Sequence, residues 1–172
     1  MTKLMSMVGA CMLVVALWRG ASWAQTAHAD LQDQKGQKVG AASLKEEPNG
    51  VLITVDIMSL PPGEHAFHIH ETGVCEPPFK SAGGHFNPPH KQHGFENPNG
   101  MHAGDLPNIY VPENGKLKFD AFASGVTLQK DKANSLFDKD GSALVVHAGA
   151  DDYKTDPAGN AGDRIACGVI KE

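Results

Sequence analysis

Tryptophan, long apolar runs and basic clusters are what this chain has least of, and each shortage narrows its function. Both tryptophans, Trp18 and Trp23, fall within the first 24 residues, and aromatics make up only 6% of the chain. The main apolar run, residues 8–18, is too short to cross a bilayer as a helix. No run of lysine or arginine occurs, so the usual footprint for nucleic acid or an anionic membrane surface is missing. Helical periodicity is scarce too. Only residues 132–137 have room for one helical turn, and there is no internal repeat or low-complexity segment.

What the first 24 residues do contain is an export leader. Lys3 supplies the positive start, residues 8–18 the apolar middle, and Ser22-Trp23-Ala24 the small-x-small pattern cut by signal peptidase. Cleavage after Ala24 leaves residues 25–172 as one exported domain with no membrane insertion of its own. A lipoprotein reading of Val8-Gly9-Ala10-Cys11 would acylate Cys11, but it places that cysteine near the start of the apolar run rather than after it. The leader carries Lys3 and Arg19 and no acid, so the mature chain keeps 13 of 15 bases against 20 acids, a net charge of −7.

Cys11 departs with the leader, and of three cysteines only Cys75 and Cys167 remain. Two cysteines in an exported chain most often pair. A bridge across their separation of 92 residues would stabilise by about 4–5 kcal/mol in the chain-entropy model.

The mature chain reads as strands separated by turn signals. Candidate strands are 27–32, 38–45, 51–58, 65–71, 106–111, 116–123, 143–147 and 165–170. Val51, Ile53, Val55 and Ile57 share one face by period-two alternation, as a half-buried antiparallel strand requires. Pro48-Asn49-Gly50, Pro61-Pro62-Gly63 and Asp140-Gly141 mark turns. Between 72 and 105 the regularity gives way to proline, glycine and asparagine, and 149–163 forms a second polar, glycine-rich loop. A loop as long as the first needs something to order it. Metal ligation and a disulfide are the candidates.

Histidine is the type present in excess. On a strand, Phe67 and Ile69 face one way and His68 and His70 the other. A lone His-x-His is more often solvated than metal-bound, but His85, His93, His102 and Asp105 follow in the long loop, and His147 ends a hydrophobic strand. Imidazoles with one carboxylate suit tetrahedral zinc, and a square of imidazoles suits Cu(II).

The blocks around these residues carry a resemblance. His68-Ile69-His70, Gly84-His85-Phe86-Asn87-Pro88, Lys91-Gln92-His93-Gly94, Met101-His102-Ala103-Gly104-Asp105, Val145-Val146-His147 and the run from Gly159 through Asp163-Arg164 to Ile170 resemble the signature blocks of copper/zinc superoxide dismutase, in order and across nearly the whole mature chain. The resemblance implies an all-β fold, an eight-stranded Greek-key barrel or sandwich of the immunoglobulin-like kind with two long functional loops. It implies one copper and one zinc ion per subunit, copper on His68, His70, His85 and His147, zinc on His85, His93, His102 and Asp105. His85 would then bridge the two.

The same resemblance makes Asp151 an outer-shell acid between His68 and His93, and pairs Cys75 with Cys167. Arg164 becomes the substrate-guiding cation, with Lys154 as a helper. His28 and His90 match no ligand position, and His65 reads as structural. The implied reaction is dismutation of superoxide to dioxygen and hydrogen peroxide, with His85 as proton carrier. The short spacing from His70 to Cys75 resembles the bacterial branch, which implies a periplasmic enzyme that protects the envelope. Monomer and homodimer both stay open. Two rival readings are a metal carrier without catalysis and a structural sandwich with a vestigial site. A buffer needs no guiding cation, so Arg164 favours the enzyme.

Overall fold

A computed structural model describes residues 25–172, and the leader expected over residues 1–24, with Cys11, Trp18 and Trp23, lies outside the described residues. Nine strands form among the described residues: β1 Thr26–Asp33, β2 Lys38–Glu47, β3 Gly50–Ile57, β4 Gly63–His65, β5 Phe67–His70, β6 Ile109–Val111, β7 Leu117–Ala123, β8 Ala143–His147 and β9 Arg164–Val169. The extra strand comes from 65–71, which breaks at Ala66. There the backbone leaves the ladder to bond elsewhere, Ala66 N–H donating to Gly149 and its carbonyl accepting from His147 N–H. The strand expected over 106–111 is shortened to Ile109–Val111, because Pro107 has no amide to offer a ladder. Residues 132–137 are turns rather than a helical turn, and the one short 3-10 segment among the described residues is Lys80–Ala82.

All named strand pairs are antiparallel, and seven strands lie in the order β5-β8-β9-β1-β2-β3-β7, with β4 paired to β6. Only Ala66 separates β4 from β5, so the small ribbon continues the large sheet's edge. The sheet thereby curls into a barrel, left open between β6 and β7 at an apolar cleft lined by Ile109, Tyr110, Leu117, Phe119 and Phe122. β3 passes over the barrel end to β4 instead of pairing with it, and the chain returns to β3's side at β7. That crossover gives the Greek-key connectivity.

The alternation in β3 works as expected. Val51, Ile53, Val55 and Ile57 are all buried, opposite Leu44 and Ala42 of β2. β5 shows why the site is rigid. Phe67 packs edge-to-face on Phe119 with ring centroids 5.4 Å apart, while His68 and His70 on the opposite face are sealed under the loops. Each fully buried aromatic or aliphatic side chain contributes about 1.5–3 kcal/mol, so the strand that carries the two histidines is fixed from behind by the core.

Candidate metal centre

Two stretches of the long loop are laid on β5 by backbone hydrogen bonds. Phe86 N–H donates to Ile69 O (2.8 Å), Ile69 N–H to Gly104 O (2.9 Å) and Gly104 N–H to Phe86 O (2.8 Å), so three separate segments meet side by side. Position 104 must be glycine, because a Cβ there would collide with the Ile69 carbonyl. This stitching sets His85 opposite His70 and Asp105 opposite His68. His147 arrives from β8, where the register with β9 shifts between Val146 and His147. Such an irregularity re-aims a side chain, here into the cluster.

His68, His70, His85 and His147 form one buried group whose ligand atoms all lie within 4.8 Å of one another, and His85, His93, His102 and Asp105 form a second. The hydrogen bonds of each ring decide which nitrogen is left over. His68 donates from Nε2 to Asp151 Oδ2 (2.9 Å), His70 from Nδ1 to Gly83 O (3.1 Å) and His147 from Nδ1 to Gly162 O (3.2 Å). What remains is His68 Nδ1 and His85 Nε2, both buried without a partner, and His70 Nε2 and His147 Nε2, 3.4 Å apart. Four bare nitrogens facing one point are costly unless a cation collects them. The donor set fits copper.

In the second group, one carboxylate oxygen is crowded by three rings. Asp105 Oδ1 lies 2.8 Å from His85 Nδ1, 3.0 Å from His93 Nδ1 and 3.3 Å from His102 Nδ1. Its Oδ2 is occupied by the amides of Gly94 (3.0 Å) and His102 (2.9 Å), so only Oδ1 is free to ligate. Three imidazoles and one carboxylate fit four-coordinate zinc.

Asp151 ties the two groups together. Its Oδ1 accepts from His93 Nε2 (2.9 Å) and Tyr153 N–H (2.7 Å), its Oδ2 from His68, and its backbone amide donates to Asn108 Oδ1 (2.9 Å). Gly159 has φ of 62° and leaves no room for a Cβ against the Asp151 carboxylate, so a side chain there would push the acid off the rings. Acids placed so on ligating imidazoles fix tautomer and ring orientation.

Charge states follow the environments. Burial, helped by neighbouring imidazoles, lowers His85 to about 4 and His147 to about 3, and pushes His70 well below its ordinary value. His93 goes the other way. Burial opposes its charge, but the Asp105 and Asp151 carboxylates outweigh that and raise it to about 9. Burial likewise opposes ionisation of Asp105 and Asp151, yet the histidines hold both carboxylates well below the usual range.

A prediction for the metal-free protein follows. His70, His85 and His147 bind a proton more weakly folded than unfolded, so their stabilisation is lost as the pH falls below about 6.5. His93 contributes fully below about 6.5 and loses its share as the pH rises from there through about 9, so between pH 7 and pH 5 it gains only slightly and offsets a small part of what the three lowered histidines lose. Thermal unfolding of metal-free protein should therefore occur at lower temperature at pH 5 than at pH 7, and equal midpoints would contradict this charge assignment.

The structure also locates the other residues expected from the sequence. Cys75 and Cys167 are joined, closing a small apolar cluster with Phe79, Ala82, Ala143 and Val145. Arg164 is half-buried and donates from its two terminal nitrogens to Phe79 O (2.6 Å) and Gly83 O (2.7 Å). It sits opposite His147 in the β8–β9 ladder, and its charge helps lower both His70 and His147. Lys154 is exposed and belongs to neither group. His28 and His90 are exposed and belong to neither group.

His65 is structural in a specific way. It is buried, with Nδ1 2.8 Å from His147 O and Nε2 2.9 Å from Pro61 O, so it braces the strand end that carries His147. The carbonyls of Phe79 and Gly83, which aim Arg164, and Asp156, whose Oδ1 accepts the His93 amide, were not expected from the sequence. No local pattern marks either.

Comparison with known proteins agrees with this geometry. Residues 38–170 match the family model described as copper/zinc superoxide dismutase. The chain is 58% identical over 146 residues to copper–zinc superoxide dismutase 1 of Aquifex aeolicus, covering 84% of this chain and 86% of that protein. It is 51% identical over 175 residues to copper–zinc superoxide dismutase 2 of the same organism, covering 99% and 100%. Among solved structures, a SOD-like protein from Bacillus subtilis superposes with a TM-score of 0.79 at 43% identity, covering 83% of this chain and 96% of that one. The fold is thus that of a copper/zinc β-barrel oxidoreductase. The chain belongs to the copper/zinc superoxide dismutase family, and its relatives at this level of identity are bacterial.

Proposed function

We propose that the mature chain dismutates superoxide with copper on His68, His70, His85 and His147 and zinc on His85, His93, His102 and Asp105, His85 serving both ions. One observation carries this reading. The two nitrogens of His85 face different groups, Nδ1 toward Asp105 at 2.8 Å and Nε2, buried and unpartnered, toward the other three imidazoles. When bound, copper supplies the one-electron chemistry that turns one superoxide into dioxygen and the next into hydrogen peroxide, and zinc, which has no redox chemistry, supplies a fixed charge.

The protein's own residues do the rest. With both ions bound, two adjacent dications would favour loss of the second ring proton, and His85 would then serve both sites through its two ring nitrogens. Dismutation consumes two protons for each pair of superoxide anions. His85 Nε2 takes no hydrogen bond from the protein and is the shared ring's one atom able to accept a proton and pass it to reduced oxygen. Asp151 holds His68 and His93 in place while that proton moves.

Arg164 binds the anion. Guanidinium offers five N–H donors and only two go to the backbone, so the remainder of a pre-aimed fork faces incoming substrate. A local positive field in a cleft must overcome an acidic chain, and such steering changes association rates by about 10 to 1000-fold. Arg164→Ala is expected to lower kcat/KM within that range and to flatten its dependence on ionic strength. Stopped-flow superoxide decay at several salt concentrations measures both, and an unchanged rate and salt slope would overturn the assignment.

A metal carrier would bind both ions yet leave superoxide untouched. Elemental analysis alongside a superoxide-consumption assay separates the two readings. Export belongs to the same proposal: cleavage after Ala24 releases residues 25–172 to the periplasm, where the enzyme protects the envelope. Among the described residues no helix is long and apolar enough to cross a membrane. The mature protein should show no tryptophan fluorescence, since both tryptophans leave with the leader. An emission spectrum with a tryptophan band would contradict that cleavage site.

A further inference from the structure

Asp156 holds a place beside the zinc-side group that the reading above does not use. Its Oδ1 accepts the backbone N–H of His93 at 2.6 Å, and the same oxygen lies 3.9 Å from Nε2 of His102, the nitrogen that points away from Asp105. One carboxylate oxygen on the 149–163 loop thus addresses two members of the group, one through the main chain and one through the ring. The surrounding contacts fix that loop on the other. Glu96 N–H donates to Tyr153 O (2.9 Å), the Tyr153 ring lies against Phe95 with centroids 5.1 Å apart, and Asn108 N–H donates to Tyr153 Oη (2.7 Å).

We propose that Asp156 is a positioning residue for zinc, a second outer carboxylate that complements Asp151 but acts on the zinc side alone. Asp151 reaches His93 and His68 and so spans both metals, whereas every contact of Asp156 with a ligand residue is to His93 or His102. His93 would be held at both ends: its ring by Asp151, its backbone by Asp156. At 3.9 Å Asp156 accepts no hydrogen bond from the His102 ring and acts on it through charge alone, so its firm hold on the group is the His93 amide. The inference rests on the second group being the zinc site.

The test is selective metal affinity. Zinc and copper dissociation constants are measured separately on metal-free mature protein by competition with chromophoric chelators, for the wild type, Asp156→Ala, Asp156→Asn and Asp163→Asn. Asp163→Asn removes a charge from the same loop, where the Asp163 side chain is exposed and makes no hydrogen bond among the described residues. Asp156→Ala should weaken zinc binding by about 10 to 100-fold, the range for lost outer partners. Asp156→Asn, which can still accept the His93 amide but carries no charge, should fall between it and the wild type. Copper affinity should stay within about twofold in all of them.

Zinc affinity within about twofold of wild type in Asp156→Ala would overturn the proposal. Equal losses of zinc and copper would overturn it too, because they would mark a general loosening of the loop. Should Asp156→Ala fail to fold, the near-isosteric Asp156→Asn decides by the same criteria. A wild type that takes up copper but no zinc would refute the site assignment and this inference together, whereas wild-type zinc uptake indifferent to Asp156 refutes the inference alone.

Discussion

Replacing His147 with alanine is expected to abolish dismutation while leaving zinc in place. His147 belongs only to the first group, and its ring supplies one of four nitrogens facing a common point. The truncation leaves the second group's four members and the Asp151 contacts intact. The backbone should also hold, because His65 bonds to the carbonyl of residue 147 and not to its side chain. Changes to outer partners alone cost about 10 to 100-fold, so loss of an inner ligand should exceed about 100-fold in superoxide consumption. Elemental analysis and stopped-flow decay on one preparation measure both effects. Full activity in this variant would refute the copper assignment.

The second large effect is on stability. Cys75→Ser opens a link across 92 residues, and the chain-entropy model puts the loss at about 4–5 kcal/mol. Cys167 is buried in the small cluster with Phe79, Ala143 and Val145, so the broken bond also leaves a buried thiol without its partner. Catalysis should suffer with the fold, because the loop that Cys75 anchors carries the Phe79 and Gly83 carbonyls. Those two orient Arg164, and Gly83 also accepts from His70 Nδ1. Urea unfolding of the metal-free protein should show a drop of about 4 kcal/mol relative to wild type, with a lower midpoint. A change below about 1 kcal/mol would show that the unfolded chain is already constrained in other ways.

Much of this architecture is legible in the residues because its signals are local. Alternation in Val51, Ile53, Val55 and Ile57 needs only the period of a strand, and His68 and His70 against Phe67 and Ile69 need only the same rule. The proline- and glycine-rich stretch between 72 and 105 announces a loop that metal and disulfide must order. The family resemblance then distributes the ligands, and the structure brings those same seven side chains into two groups.

What the sequence hides is long-range and backbone-mediated. The break at Ala66 depends on Gly149, far along the chain, and nothing near Ala66 signals it. Arg164 is aimed by carbonyls, which every residue possesses, so no side-chain pattern at Phe79 or Gly83 could have revealed them. Asp156 sits in a polar loop among other acids, and its 2.6 Å contact with the His93 amide and its place beside the His102 ring set it apart only once the loop is folded. Asp120 and Thr54 make the complementary point, since their 2.6 Å hydrogen bond across β3 and β7 is visible only once the register is known.

The proposed activity requires His85 to be shared by both ions. A crystal structure of the protein loaded with copper and zinc, with anomalous maps collected at both absorption edges, tests that directly. Copper is expected among His68, His70, His85 and His147, zinc among His85, His93, His102 and Asp105, with one nitrogen of the His85 ring against each ion. A single mixed peak, or an oxidised site in which the residue 85 ring touches only one metal, would contradict it.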